Sequence, residues 1–226
     1  MRKRAMRSKI LSLLLCLCLV TLIFTSCKDP APQYDETEVV SAAEALIKKS
    51  LILNEIYWGE GIRYEIPENE EDIKGYLPAD KEYLAELEKN YGIKDLETLK
   101  TKTREVFSET GYNWILRSCL TNVVGDTGIV SYARYYTSTK DEATGAEDAL
   151  MVYTAARNIY ENTESVEYIY EGMFVSEVEN EIYTVSLKVK TTGIDGSTAE
   201  RDFTVQLINE KSVGWRLHGA SYATHY

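Results

Sequence analysis

The chain has 226 residues, with 25 Lys and Arg against 36 Asp and Glu, and apolar residues make up 44% of it. That apolar share supplies a core and excludes wholesale disorder, while only 13 Gly and 4 Pro exclude collagen-like and low-complexity chains. Five basic residues and no acid precede Cys27, so the remainder carries 20 basic and 36 acidic residues, a balance that excludes a nucleic-acid partner because phosphate binding needs clustered Lys and Arg.

Residues 2–9 (RKRAMRSK) are strongly basic, and residues 10–24 (ILSLLLCLCLVTLIF) are an apolar run of 15. As a helix that run spans about 22 Å, short of the roughly 30 Å hydrocarbon core. A charged segment followed by a short apolar one is the layout of an export signal rather than a membrane span. The run ends in Phe24, Thr25, Ser26 and Cys27, and no cleavage site of the Ala-x-Ala type lies nearby. The small pair followed by Cys resembles the lipobox of bacterial lipoproteins, with Phe24 standing where Leu is commonest. The resemblance implies diacylglyceryl attachment to the Cys27 sulfur, cleavage after Ser26, and anchoring to the outer face of the cell membrane. Cys16 and Cys18 would leave with the leader. Cys119 then remains as a single thiol without a disulfide partner, expected as core filler.

Residues 28–37 (KDPAPQYDET) read as a polar tether, giving a leader over 1–26, a linker over 27–38 and one domain over 39–226. Ser41 with Glu44 fits a capping box for a helix over about 40–58, with apolar positions three and four apart and Gly59 and Gly61 at its end. Ile62, Tyr64 and Ile66 alternate as a short strand stopped by Pro67. Residues 67–80 are an acidic loop. Glu70, Glu71 and Asp72 lack the spaced oxygen ligands of a calcium loop, so no metal is expected there. Helices follow over about 81–90, over 96–108 capped by Asp95, and over 112–120.

From residue 123 the pattern turns to strands. Segments 127–137, 150–154, 166–178 with a bulge at Gly172, 182–190, the run holding Phe203, Val205 and Leu207, and the run of Val213, Trp215 and Leu217 read as an antiparallel meander of five or six strands. Turns fall at 141–145, 179–181 and 193–196. Helices first and a meander after predict an α+β fold, with the helices packed on one face of the sheet. The element order over residues 40–222, with its Gly214-Trp215-Arg216-Leu217 ending, resembles the NTF2-like and cystatin-like cone-shaped folds.

The chain holds no Walker loop, dinucleotide fingerprint, nucleophile elbow, H-E-x-x-H or C-x-x-C, so neither an enzyme nor a cofactor is expected. Asp126-Thr127-Gly128 reads as a turn rather than an aspartic-protease motif. His218, placed on the final strand, and His225 have no companion acid at useful spacing. The compositional excess is 17 Tyr. Most of those in the strand half suit sheet packing, but Tyr57, Trp58, Tyr64 and Trp114 from the helical half, with Tyr135 and Tyr168 from the strands, are candidate binding aromatics. Two roles follow. One is a non-catalytic envelope module that binds a protein or a cell-wall component. Its specific form follows a similarity to cystatin-like inhibitors of cell-wall endopeptidases, in which an acidic domain blocks a basic cleft. The other is an NTF2-like carrier or enzyme, related in outline to ketosteroid isomerase, which needs a carboxylate beside a Tyr donor inside the cone.

Overall fold

The computed structural model describes residues 34–69, 73–124, 130–138 and 149–225. Cys27 and its lipobox, the Glu70–Asp72 acid run, the Asp-Thr-Gly triplet and the 141–145 turn lie outside the described residues.

α1 (Glu36–Trp58) buries Val39, Ala43, Leu46, Ile47, Leu53 and Tyr57, a stripe spaced three and four apart that gives the helix its inward face. It begins at Glu36, so Ser41 lies in its second turn and the expected Ser41 capping box does not form. Glu36 and Glu38 instead occupy the first turn, where acids suit the helix dipole. α2 (Lys81–Tyr91) starts on the Asp80 side chain, which accepts from the Tyr83 N–H at 2.7 Å, and stops at left-handed Gly92. α3 (Leu96–Val106) starts on a reciprocal Asp95/Thr98 capping box. It stops two residues sooner than the pattern suggests, because Phe107 turns extended and bridges Leu217. The segment read as one helix over 112–120 is α4 (Glu109–Ile115), capped by Ser108, followed by a single π turn over Leu116–Leu120.

The strands form an antiparallel α+β architecture in three pieces. β6 (Thr163–Glu179), β7 (Ile182–Gly193), β8 (Thr198–Glu210) and β9 (Gly214–Leu217) make a four-stranded meander in that order. Its register shifts between Ile169 and Phe174, around Gly172 at φ 78°, where the bulge was expected. Asn180 and Glu181, both at positive φ, form the tight β6–β7 turn. β1 (Tyr76–Pro78), β5 (Ala149–Tyr153) and β4 (Tyr135–Ser138) make a second sheet in the order β1-β5-β4, and β2 (Val123–Val124) pairs with β3 (Val130–Ser131). The single meander of five or six strands is therefore corrected. β5 pairs on one side with β4 and on the other with β1, a three-residue strand from the helical half, and the expected 127–137 strand is interrupted between β3 and β4. The expected 62–66 strand is reduced to one bridge, Tyr64 to Ala79. Val213 lies in the turn before β9, and His218 follows that strand.

α1 packs on β6, β7 and β9, with α3 alongside. One core joins Val185, Leu187, Val205 and Leu207 of the larger sheet to Tyr135, Leu150 and Val152 of the smaller. Residues 219–225 then pass back between α1 and β6. There the Ser221 hydroxyl donates to Ser50 Oγ at 2.8 Å, and Asn54 Nδ2 donates to Ser221 Oγ at 3.1 Å. Three polar side chains thus satisfy one another in a buried position that would otherwise be costly. Glu36–Tyr226 are one compact unit. Among the described residues no helix is long and apolar enough to cross a membrane.

Candidate functional site

The end of α1 and the start of β6 leave a cleft of about 500 Å³ between them. Leu51, Asn54, Glu55 and Glu60 line one side, and Tyr160, Glu161, Glu164 and Tyr168 the other, with Ile194 at the edge. Four glutamates face this space, and among the described residues no Lys or Arg lines it. Glu55 is fixed by the backbone: its Oε1 accepts the Glu60 N–H at 2.8 Å across the turn that ends α1. On the far side, Asn158 Oδ1 accepts the Tyr160 N–H at 2.7 Å and sets the approach to β6.

An aromatic row runs into the same cleft. Trp114 of α4 stacks on Trp58 at 4.8 Å, Trp58 lies 5.7 Å from Tyr222, and Tyr222 meets Tyr160 edge-on at 6.3 Å. Trp114 is exposed and Trp58 half-buried, so the row offers rigid aromatic faces beside carboxylates, a combination that suits cationic groups. Burial pushes the Tyr160 hydroxyl well above the ordinary tyrosine range. It also pushes Tyr168 up to about 12, against the opposing Ala223 N–H. Both stay neutral, leaving the glutamates to set the sign of the field.

The structure divides the aromatics singled out from the sequence. Trp58 and Trp114 are brought together. Tyr168 borders the cleft, but its hydroxyl is engaged, donating to Ser221 O at 2.8 Å and accepting the Ala223 N–H at 3.2 Å. Tyr64 is half-buried against the core and outside the row. Tyr57 and Tyr135 are corrected to core residues, at 1% and 0% exposure. Tyr57 Oη pairs with Thr103 Oγ1 at 2.8 Å, and Tyr135 Oη donates to Ile56 O at 2.7 Å. Neither can meet a ligand. The four glutamates were not foreseen. A second aromatic group stands on the smaller sheet, where Tyr76 meets Tyr136 at 4.6 Å and Tyr153 at 5.1 Å, and Tyr153 stacks on Tyr132 at 5.1 Å.

Groups with nucleophilic potential are held in structural roles. Cys119 is buried, its thiol pushed up to about 12 by desolvation despite nearby Arg134. His218 Nδ1 lies 3.3 Å from the helix-capping Ser108 hydroxyl. His225 Nε2 lies 3.0 Å from Ser197 Oγ, but Ser197 gives its proton to Asp195 at 2.5 Å. The carboxylate thus engages the serine and not the imidazole, the reverse of a nucleophile's relay. Among the described residues no three His, Cys, Asp or Glu side chains are grouped to hold a metal ion. Compared with known proteins, the chain matches no family model, no curated protein and no solved structure.

Proposed function

We propose that this protein is a membrane-anchored extracytoplasmic lipoprotein, tethered through Cys27, whose body is a non-catalytic binding module for a basic partner of the cell envelope. The observation that carries the binding reading is the cleft between α1 and β6, with four glutamates, no lining base among the described residues, and Tyr160 as the end of an aromatic row that reaches it. A cationic cleft or loop, as on a cell-wall hydrolase, has the complementary charge. Steering by the acidic body raises its encounter rate, and Trp and Tyr provide the contact area. The leader's layout and the Thr25-Ser26-Cys27 sequence support the anchor. The enzyme or carrier reading needs a carboxylate beside a tyrosine donor within the fold. The described buried polar positions hold Ser, Asn, Thr and Arg, and the carboxylates that stand near Tyr160 and Tyr168 line the open cleft.

The test uses intact cells expressing the full chain with a photoreactive residue at Leu51 or Ile194, both exposed at the cleft. Crosslinking and mass spectrometry are expected to capture a basic envelope protein, with capture lost in the variant carrying Glu→Gln at 55, 60, 161 and 164 and weakened by salt. Equal capture by that variant overturns the cleft as the binding site. Metabolic lipid labelling tests the anchor separately: Cys27→Ala is expected to stay unacylated, and normal labelling of it refutes the assignment.

A further inference from the structure

On the other flank of α1 lies a groove of opposite character, about 350 Å³ in volume. Its floor is Ile52 and Leu53 of α1, Val106 of α3 and Ile93. Ile93 is turned inward by the left-handed Gly92 that ends α2. Leu53, Ile93 and Val106 are buried to 1–3% exposure, so the floor is part of the rigid core. Among the described residues Lys48, Lys49 and Lys102 line the groove with one acid, Glu105, and exposed Tyr91 also lines it. Lys48 contributes its stem, since its ammonium is held by Glu44 at 2.5 Å and lies over the Tyr170 ring. Lys102 Nζ reaches Glu105 at 3.0 Å, and Lys49 has no ion pair among the described residues.

In a body with 36 acids to 20 bases, Lys48, Lys49 and Lys102 around an apolar floor face only Glu44 and Glu105, which leaves Lys49 as the unpaired charge there among the described residues. We propose that this groove binds a fatty carboxylate, its acyl chain over Ile52, Leu53, Ile93 and Val106 and its carboxylate on Lys49 and Lys102. An apolar tail with one anionic end meets both surfaces at once. The volume lies at the small end of ligand pockets. The site does not depend on the acidic cleft, and either can fail alone.

The test is calorimetric titration of the full chain with decanoate below its micelle concentration. Saturable one-to-one binding is expected, tightening about fourfold per added methylene from octanoate to decanoate. Decyltrimethylammonium is expected not to bind. Lys49→Glu with Lys102→Glu is expected to weaken decanoate at least tenfold, and the single exposed change Lys49→Ala to weaken it severalfold without moving the thermal midpoint. Equal binding of decanoate and decyltrimethylammonium overturns the proposal, as does decanoate affinity unchanged by both lysine variants. Binding of a Glu-rich peptide or of phosphatidylglycerol vesicles in place of decanoate overturns it as well.

Discussion

The Arg134 guanidinium, buried to 6% exposure, donates from Nη1 to the carbonyl of Tyr57 at 2.7 Å, though 77 positions separate the two residues. Its Nη2 donates to Gly59 O at 2.5 Å, and the Cys119 thiol leans on the same Tyr57 carbonyl at 3.8 Å. A cation thus closes the end of α1, where the last carbonyls lack intrahelical partners and the dipole favours positive charge. The Nε–H has no acceptor among the described residues, and besides its two carbonyls the guanidinium lies over the Tyr135 ring, 5.8 Å from its centroid. Arg134→Met is expected to lose about 2–3 kcal/mol in urea unfolding, the range for charge-assisted bonds less the relief of the orphaned Nε–H. No change in midpoint would show that the carbonyls find water instead.

Gly61 stands against the same group. It sits at φ 87°, and a Cβ there would lie 2.5 Å from both Arg134 Nη2 and Tyr135 Oη. Tyr135 Oη is needed in place because it accepts the Ile62 N–H at 2.9 Å. Gly61→Ala combines left-handed backbone cost with this clash and is expected to destabilise by about 2 kcal/mol or more. Thermal denaturation followed by circular dichroism checks it; an unchanged midpoint refutes the clash.

The Asp95 carboxyl is raised by partial burial, but the Thr98 N–H and hydroxyl outweigh that and hold it below the ordinary 3.8. A depressed carboxyl stabilises the fold above its unfolded value, and that contribution fades as pH falls through the lower folded value. Asp95→Asn keeps the cap and is expected to cost little at pH 7 while flattening the loss of stability below about pH 4. Asp95→Ala is expected to cost about 1 kcal/mol at pH 7. Urea midpoints measured from pH 7 to pH 3 separate the two.

Cys119 is 2% exposed and its thiol is pushed up to about 12, so thiolate is scarce at neutral pH and access is closed. The folded Glu36–Tyr226 unit is expected to resist iodoacetamide and to label fully once unfolded. Rapid labelling in native buffer would mean that the π turn opens readily.

Tyr168→Phe removes the hydroxyl shared by Ser221 O and the Ala223 N–H. A loss of about 1–2 kcal/mol is expected, with faster hydrogen exchange confined to residues 219–225. Uniform exchange across the whole unit would show that this segment unfolds only with the rest.

Much of this architecture is legible in the residues. β7 reads cleanly because Tyr183, Val185, Leu187 and Val189 face one way against Leu207, Val205, Phe203 and Arg201 of β8. α3 reads well because its cap lies within four residues of sequence. β1 does not, since Tyr76, Leu77 and Pro78 become a strand only through pairing with Tyr153, Val152 and Met151 far along the chain. The start of α1 misleads because Ser41 and Glu44 have capping spacing inside a helix that continues upstream of them. The cleft was half legible: Trp58 and Trp114 stand out as rare aromatics, whereas Glu55, Glu60, Glu161 and Glu164 resemble any solvated acid until β6 is laid beside α1. Tyr57 and Tyr135 were indistinguishable from ligand-binding aromatics, because composition does not reveal that one hydroxyl is spoken for by Thr103 and the other by the Ile56 carbonyl.

The segment that threads back between α1 and β6 also governs how the molecule can be handled. His225 is pinned by its N–H to Thr163 Oγ1 at 2.8 Å and by Nδ1 to Thr191 at 3.0 Å, beside the rim of the acidic cleft. A purification handle or fluorescent fusion joined after that histidine would emerge next to the proposed docking mouth and crowd it.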